Sequence, residues 1–185
     1  MVLPMETKAD PSRLAYAARG RDSNAWFTPA KYVNAARAVL DGIDLDPFSS
    51  EEANRVVKAK RFYSEKDDAF RKPWKARALW MNPPYAGAAC KAAVLRFLEE
   101  WRSDSFQEAV FLVNNATETQ WFQKALKAAD AVCLTDHRIA FWNADGKAVS
   151  GNTRGQAFFY FGPNAQHFAR AFAAFGAVIL GRSVC

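Results

Sequence analysis

The chain has 185 residues, of which 50% are hydrophobic and 14% aromatic, and its formal net charge is +6. This length and composition predict one folded domain and exclude wholesale disorder. No apolar run approaches the roughly 20 residues of a membrane span, and the N-terminus lacks the apolar core of a signal peptide, so we expect a cytoplasmic protein without a membrane partner. The cysteines, Cys90, Cys133 and Cys185, show no C-x-x-C pairing, so no metal site is predicted.

Basic residues are concentrated in one segment. Between Arg55 and Arg77 lie nine lysines and arginines against three acids. Such a cluster is expected where a protein contacts the phosphate backbone of a nucleic acid, and Lys58 and Arg61 are the candidate contacts within it. A solvated surface is an equally good explanation of charge alone, and charge does not separate DNA from RNA.

The first part of the chain combines a polar arm with two helices. Residues 1–22 are polar, small and interrupted by prolines, which predicts a flexible arm ahead of a single domain at residues 23–185. A helix is predicted from "FTPAKYVNAARAVL", with Thr28 as its N-cap and Pro29 at its first position. "GIDLDPF" predicts a short buried strand that ends at Pro47, and "SSEEANRVVKAK" predicts a helix with a serine cap.

Strand and helix signals alternate through the rest of the chain. "RFYSEKDDAF" predicts a short strand or a loop, "ARALWMN" a strand, and "AGAACKAAVLRFLEEWRS" an amphipathic helix. "EAVFLVNN" is the clearest strand, "TETQWFQKALKAA" predicts a helix capped by Thr117, and "DAVCLTD" predicts a further strand. "RIAFWNADGKAV" predicts a strand, an Asp-Gly turn and a returning strand, and "GQAFFYFG" predicts the final strand.

The order of these elements predicts an α/β fold. Its mostly parallel sheet is expected to be doubly wound, with helices on both faces, and to end in an antiparallel C-terminal strand pair. Asp46, Asn82 and Asn114 each stand at the carboxyl end of a predicted strand. Because ligands of such sheets bind at the carboxyl ends of the strands, we expect the functional site where these three residues meet.

The stretch "LWMNPPYAG" places a polar amide and two prolines directly behind an apolar strand. The side-chain oxygen of Asn82 and the carbonyl of Pro83, held in place by the fixed φ angles of Pro83 and Pro84, can accept both hydrogens of one amino group. Such acceptors favour the pyramidal form of a conjugated amino group, which frees its lone pair for attack on an electrophilic methyl group. Tyr85 offers a ring on which a flipped base can stack. An ordinary Asn-Pro surface turn is the alternative.

"NPPY" resembles the catalytic motif of amino-group methyltransferases that use S-adenosylmethionine, and residues 22–162 resemble the phage-type, Dam-like DNA N6-adenine methyltransferases. "DSNAWFTP", "IDLDPFSSEEAN" and "MNPPY" are similar to three segments of that family, and "ATETQWFQKAL", "RIAFWNADGK" and "RGQAFFYFG" are similar to later ones. The resemblance implies a Rossmann-like methyltransferase fold with S-adenosylmethionine as cofactor. It also implies site-specific methylation of the N6 amino group of adenine in double-stranded DNA, with the base flipped into the pocket of Asn82, Pro83, Pro84 and Tyr85.

Several cofactor contacts are implied by the same resemblance. Asp46 is expected to accept a hydrogen bond from the methionine ammonium group, with Asp44, on the same face of the strand, as the alternative. Thr28 and Pro29 are similar to a segment that packs beside the methionine carboxylate, although a plain helix cap explains them equally well. Trp26 is a candidate wall of the cofactor pocket, or a core residue.

The sequence departs from the wider methyltransferase pattern after the first strand. No glycine-rich loop is present there, and Pro47 and Phe48 stand where glycines usually approach the ligand, which makes Pro47 a candidate cofactor contact. The usual acid that holds the ribose hydroxyls has no clear counterpart. Asp67 or Asp68 of "EKDDAF" is the candidate for binding the ribose or the adenine of the cofactor, and a pair of surface acids is the alternative.

Contacts to DNA are expected from Tyr85, Trp121, Arg138 and Arg154, although a core tryptophan and solvated arginines are the alternatives. The chain leaves little length for a separate recognition domain, so we expect a short or relaxed target sequence. No nuclease motif is apparent, so we expect a stand-alone methylase. The resemblance implies a phage or prophage gene acting in the cytoplasm of a bacterial host. Methylation of an amino group in RNA or cytosine, or a catalytically inactive DNA-binding module on the same fold, are the alternatives, and no oligomeric state is predicted.

Overall fold

The computed structural model describes residues 27–142 and 153–181. The predicted arm at residues 1–22 lies outside these ranges, as do Trp26, Cys185 and the Asp-Gly turn predicted after residue 142. The division into an arm and a single domain therefore stays a prediction. Within these ranges the chain forms one sheet of seven strands and five α-helices.

Seven strands form one sheet in the order β2-β1-β3-β4-β6-β5-β7. β1, β2, β3 and β4 are mutually parallel, whereas β6 runs antiparallel to both β4 and β5, and β7 runs antiparallel to β5. This confirms a mixed α/β fold with a mostly parallel core and antiparallel strands added towards the C-terminus, and it is compatible with a methyltransferase-like fold. The strands are β1 (Leu45–Asp46), β2 (Arg61–Phe62), β3 (Ala76–Met81), β4 (Phe106–Asn114), β5 (Ala131–Thr135), β6 (Gln156–Phe161) and β7 (Gly176–Leu180).

Helices cover both faces of the sheet because neighbouring residues of the central strands point to opposite sides. Leu79 and Met81 of β3 join the core cluster that contains residues of α3 and α4, whereas Ala78 and Trp80 join the cluster that contains residues of α1 and α5. Strands buried on both sides explain the almost continuous apolar runs in the sequence. The helices are α1 (Ala30–Val39), α2 (Glu51–Val57), α3 (Gly87–Arg102), α4 (Gln120–Ala128) and α5 (Ala165–Phe172).

Two predicted helix caps are wrong. α1 begins at Ala30 with Pro29 as its N-cap residue and without any side-chain cap, so Thr28 does not cap it. α4 begins at Gln120, and Thr119 rather than Thr117 accepts the capping hydrogen bond, from the backbone N–H of Phe122. Before α1 the N-cap position falls to Pro29, one residue after Thr28, and before α4 it falls to the second of two nearby threonines.

The prediction for "RIAFW" is also wrong in part. No strand forms at residues 138–142; instead Trp142 forms an isolated antiparallel bridge with Phe27, with backbone hydrogen bonds of 2.7 and 3.0 Å. "GQAFFYFG" does form β6, but it is not the final strand, since α5 and β7 follow it. "RFYSEKDDAF" contains β2 and a 3-10 turn at Glu65–Asp67, which answers the question of strand or loop.

Among the described helices, none combines the length and apolar character that a bilayer span requires. The same part of the chain holds no group of three or more histidine, cysteine or acidic side chains placed to bind a metal. Cys90 and Cys133 are buried, and burial raises the pKa of each thiol to about 12, so neither is a reactive thiolate at neutral pH.

Candidate active site

One cavity of about 1240 Å³ lies where β1, β3 and β4 end, which we call the carboxyl edge of the sheet. This is the place at which open α/β sheets bind ligands. β3 lies between β1 and β4 in the sheet, so the residues that follow these three strands are brought together. The lining consists of residues 27–28, 46, 48–53, 57, 62, 64–67, 80, 82–86, 114 and 141.

Asn82 follows β3 directly, and its side chain is held at one end only. The Nδ2 group donates a hydrogen bond of 3.1 Å to Oγ1 of Thr28, whereas Oδ1 is buried and has no hydrogen-bond partner. A buried acceptor without a partner costs about 1–3 kcal/mol relative to a satisfied one. Asn82 is therefore a cavity-lining residue whose side-chain oxygen has no hydrogen-bond partner.

The two prolines after Asn82 add a second acceptor beside the first. Pro83 and Pro84 are buried cavity-lining residues, and within the described part of the chain no backbone hydrogen bond ends on the Pro83 carbonyl. Proline has no N–H and a fixed φ, so the turn cannot relax into a regular strand or helix. Gly87, where α3 begins, then carries the chain away from the cavity.

Tyr85 closes this turn with an aromatic ring. The ring packs edge-on against Phe141, with ring centroids 5.7 Å apart and an interplanar angle of 63°. The hydroxyl group is buried without a partner, and burial raises the pKa of Tyr85 well above its ordinary value, so the group stays neutral. Tyr85 thus contributes a fixed ring to the wall of the cavity.

Two residues after β1 form another part of the wall. Asp46 is 2% exposed, and its Oδ1 accepts a hydrogen bond of 3.1 Å from the backbone N–H of Phe48. Ser49 is equally buried, and its Oγ has no hydrogen-bond partner. The neighbouring Ser50 is the true helix cap, since its side chain accepts from the N–H of Ala53. Sequence reasoning missed Ser49, although only one of two consecutive serines can cap a helix.

Unpaired buried polar atoms are concentrated at this cavity. Within the described residues five buried side-chain nitrogen or oxygen atoms lack a partner, and three of them belong to the lining residues Ser49, Asn82 and Tyr85. Native proteins pair nearly all such atoms, so an exception calls for an explanation. For the atoms of Ser49 and Asn82, a polar ligand that bonds to them provides one.

The charged residues that line the cavity are mostly acidic. One lysine faces five carboxylates there, which suits a ligand that carries positive charge. One of these carboxylates, that of Asp67, already accepts hydrogen bonds from the backbone N–H and the hydroxyl of Ser64, and these bonds lower the pKa of Asp67. The charged lining residues are Asp46, Glu51, Glu52, Glu65, Lys66 and Asp67.

Comparison with protein families agrees with this geometry. Residues 17–174 match the family described as DNA N-6-adenine-methyltransferase (Dam). The chain belongs to the Dam family. The match covers most of the chain, including every residue that lines the cavity. Comparison with curated proteins gave no significant match. Membership of the Dam family supports activity as an adenine-specific DNA methyltransferase.

Several residues predicted to bind the Dam cofactor do not line the cavity, namely Pro29, Asp44, Pro47 and Asp68. The carboxylate of Asp44 is engaged within the protein. It lies 2.8 Å from Nζ of Lys60 and accepts from the backbone N–H groups of Arg77 and Ala78, and the hydrogen bond with Lys60 is the main cause of its lowered pKa. These contacts favour Asp46, which lines the cavity, over Asp44 as the cofactor ligand, and the assignment stays a prediction. Asp68 pairs with Arg71, 3.3 Å away.

The predicted DNA contacts of this Dam-family protein fall into two groups. Lys58, Arg61, Arg138 and Arg154 are exposed and remain candidates. Trp121 is 8% exposed and its ring packs against Phe122 in the core, which favours the core alternative over the predicted DNA contact.

The basic segment is also less positive than the sequence suggests. Four of its basic residues have acidic partners within 4 Å, so their charges are partly balanced. These residues are Lys60, Arg71, Lys72 and Arg77.

Proposed function

We propose that this protein transfers a methyl group from S-adenosylmethionine to the N6 amino group of adenine in double-stranded DNA, with the base flipped out of the duplex into the cavity. The observation that carries the proposal is the buried, unpaired Oδ1 of Asn82, next to the Pro83 carbonyl, in the turn after β3. Family membership supports the reaction class, and this pair of acceptors supports the place at which it occurs.

The two acceptors suit an amino group that is a poor nucleophile. The lone pair of an adenine N6 nitrogen is delocalised into the ring, and hydrogen bonds from its two N–H groups to Asn82 and Pro83 favour the pyramidal geometry in which that pair is free. These bonds strengthen as positive charge develops on nitrogen, so they stabilise the transition state more than the ground state. When bound, S-adenosylmethionine would supply the methyl group and leave as a neutral thioether, and the methylated nitrogen would lose one proton to water.

The cavity fits the proposed cofactor by charge and by its unpaired atoms. S-adenosylmethionine supplies an electrophilic methyl group on a cationic sulfonium and also carries an ammonium group. The acidic lining favours such a ligand, and Asp46 is the buried carboxylate that we assign to the ammonium. We assign Ser49 as a further contact, because its buried hydroxyl otherwise has no partner.

The target base requires a flipped position. Inside a duplex the N6 group of adenine is paired and stacked, so a methyl donor held in a protein cavity cannot reach it in line. Tyr85 lies directly beyond the two acceptors and offers a ring on which the base can stack, a contact worth about 1–3 kcal/mol. The contact of Tyr85 with Phe141 holds that ring in place.

Binding of the duplex is assigned to the exposed basic residues. Lys58 and Arg61 lie on the chain segment that follows α2, and Arg138 and Arg154 flank the segment at residues 143–152. Contacts of this kind to phosphates position the protein without reading sequence. We therefore propose a stand-alone enzyme with a short or relaxed target sequence.

The proposal is tested by incubating the protein with methyl-labelled S-adenosylmethionine and plasmid DNA, digesting the DNA to nucleosides and identifying the labelled one. We expect N6-methyladenine. Labelled cytosine, or label only in an RNA substrate supplied in parallel, contradicts the proposed substrate. Absence of label together with no gain in thermal stability in excess cofactor contradicts the enzyme and favours a DNA-binding module.

A further inference from the structure

We infer that Thr28 is a positioning residue that sets which end of the Asn82 amide faces the target base. The inference rests on the proposed function, in which Asn82 accepts a hydrogen bond from the amino group. Its structural basis is the 3.1 Å hydrogen bond from Nδ2 of Asn82 to Oγ1 of Thr28, which joins residues 54 positions apart in the sequence.

The orientation of the amide decides whether the site works. The two ends of an asparagine side chain have almost the same shape but opposite hydrogen-bonding roles, since the oxygen accepts and the NH2 group donates. With Oδ1 towards the base, Asn82 grips an amino group. With Nδ2 towards the base, two NH2 groups face each other and neither can accept. A residue that selects the first orientation therefore contributes to turnover without touching the substrate.

Thr28 is suited to select it. Its side chain is free of the helix-capping role that a threonine at this point usually has, because α1 has no side-chain cap. A hydroxyl has one hydrogen and two lone pairs, and Thr28 also lines the cavity. When that hydrogen bonds to an acceptor in the cavity, only lone pairs remain for Asn82, and these attract the NH2 end of the amide.

The position of Thr28 is fixed from both sides. Phe27, the residue before it, is paired with Trp142 by two backbone hydrogen bonds, and Pro29, the residue after it, has φ fixed at −56° ahead of α1. Thr28 itself is 7% exposed. A small, buried and doubly anchored side chain can hold one amide orientation, which a side chain on a mobile loop cannot do.

The test compares Thr28→Val, which keeps the shape but loses the acceptor, with Thr28→Ser, which keeps the hydroxyl. In Thr28→Val we expect kcat to fall by about 3- to 10-fold at saturating cofactor and DNA, the size expected for loss of one hydrogen bond. The Kd for S-adenosylmethionine is expected to stay within about twofold of the wild-type value, and the Tm within about two degrees of it. Thr28→Ser is expected to restore kcat.

A second measurement does not depend on activity. In the NMR spectrum of the protein, the side-chain NH2 of Asn82 should exchange slowly with solvent in the wild type and in Thr28→Ser, and faster in Thr28→Val. If Thr28→Val does not fold, Thr28→Ala removes the same acceptor and takes its place in both measurements.

Three results overturn the inference. One is an unchanged kcat with unchanged exchange in Thr28→Val. Another is a rise in cofactor Kd with kcat unchanged, which makes Thr28 a cofactor contact only. The third is equal loss in Thr28→Ser, which assigns the effect to packing of the methyl group. A wild-type protein that methylates no DNA contradicts the proposed function instead, and the exchange measurement still decides whether Thr28 orients Asn82.

Discussion

The two edges of the sheet treat buried polar groups in opposite ways. At the amino edge, where β3 and β4 begin, the 7% exposed Glu108 lies 2.9 Å from a guanidinium nitrogen of Arg77 and accepts a hydrogen bond from the hydroxyl of Tyr160. That hydroxyl in turn accepts from the backbone N–H of Asn164. Each group here meets a partner within the protein, as a structural network requires.

At the carboxyl edge, by contrast, some buried polar groups have no hydrogen-bond partner. Ser49 and Asn82 line one cavity, and each has a buried polar atom without a partner. The difference teaches that burial alone does not separate a structural polar residue from a functional one. We interpret complete hydrogen bonding of buried groups as typical of an edge that stabilises the fold, and incomplete hydrogen bonding as typical of an edge that binds a ligand.

The largest expected effect is at the carboxyl edge. Asn82→Ala should reduce turnover by about 10²- to 10³-fold, because it removes an acceptor that acts in the transition state, while cofactor affinity stays within about twofold. Methyl transfer and calorimetric cofactor binding measure the two quantities. Asn34→Ala, at an exposed position of α1, is the matched control and should change neither. Equal loss of turnover and cofactor binding in Asn82→Ala shows that the residue is structural.

Two substitutions of Tyr85 distinguish the role of its ring from the role of its hydroxyl group. Tyr85→Ala should lower kcat/KM for DNA by about 5- to 150-fold, the equivalent of 1–3 kcal/mol of lost stacking. Tyr85→Phe should stay close to the wild type, because the hydroxyl has no partner in the structure. A loss in Tyr85→Phe as large as that in Tyr85→Ala assigns the function to the hydroxyl group and removes the stacking role.

Substitution of Arg77 tests the role of the amino edge of the sheet. Arg77→Ala leaves the buried Glu108 without its cationic partner, so we expect the free energy of unfolding to fall by about 1–3 kcal/mol in urea titrations, with cofactor affinity unchanged. Lys124→Ala, at an exposed position of α4, controls for the loss of a positive charge. Weaker cofactor binding in folded Arg77→Ala contradicts the separation of the two edges.

Ser49 and Ser50 are neighbouring residues, one with an unpaired hydroxyl group and one with a hydrogen-bonded hydroxyl group. Ser50→Ala removes the helix cap and should cost about 1 kcal/mol of stability. Ser49→Ala removes an unpaired hydroxyl, so stability should not fall, but cofactor affinity should drop by about 2- to 10-fold. Thermal unfolding with and without cofactor measures both. Unchanged affinity in Ser49→Ala removes this residue from the cofactor site.

The smallest effect is expected on the outer surface. Lys58→Asn, which preserves the positive φ of 55° at that residue, combined with Arg61→Gln, should weaken DNA binding. The slope of log affinity against log salt should become shallower by roughly 0.9 for each phosphate that the double variant no longer neutralises. Lys60→Gln is the control, because Lys60 already pairs with Asp44. A slope that does not change shows that DNA binds to another face of the protein.

The sequence predicted the features that depend on local patterns. Apolar runs located β3, β4, β5 and β6, and the chain order of strands and helices placed Asp46, Asn82 and Asn114 at one edge, where the structure has the cavity. Hydrophobic periodicity and strand-end position are local properties, so they can be identified without coordinates. The proline turn after β3 belongs to the same class.

What the sequence did not predict depends on partners far along the chain. Whether the hydroxyl of Thr28 caps a helix or bonds to Asn82 is decided by the packing of α1 on the sheet, not by the neighbours of Thr28. Asp44 and Asp46 look alike in sequence, and only the tertiary structure shows that Asp44 pairs with Lys60 and Arg77 whereas Asp46 lines the cavity. These assignments need tertiary contacts.

The cavity walls come from widely separated parts of the chain, since the lining runs from residue 27 to residue 141. β6, which is inserted between β4 and β5, is synthesised later still. No short fragment therefore contains the site, and its walls meet only when pairings that are distant in the chain have formed. A chain truncated before residue 141 therefore lacks part of the wall, and a chain truncated before β6 lacks the strand that joins β4 to β5.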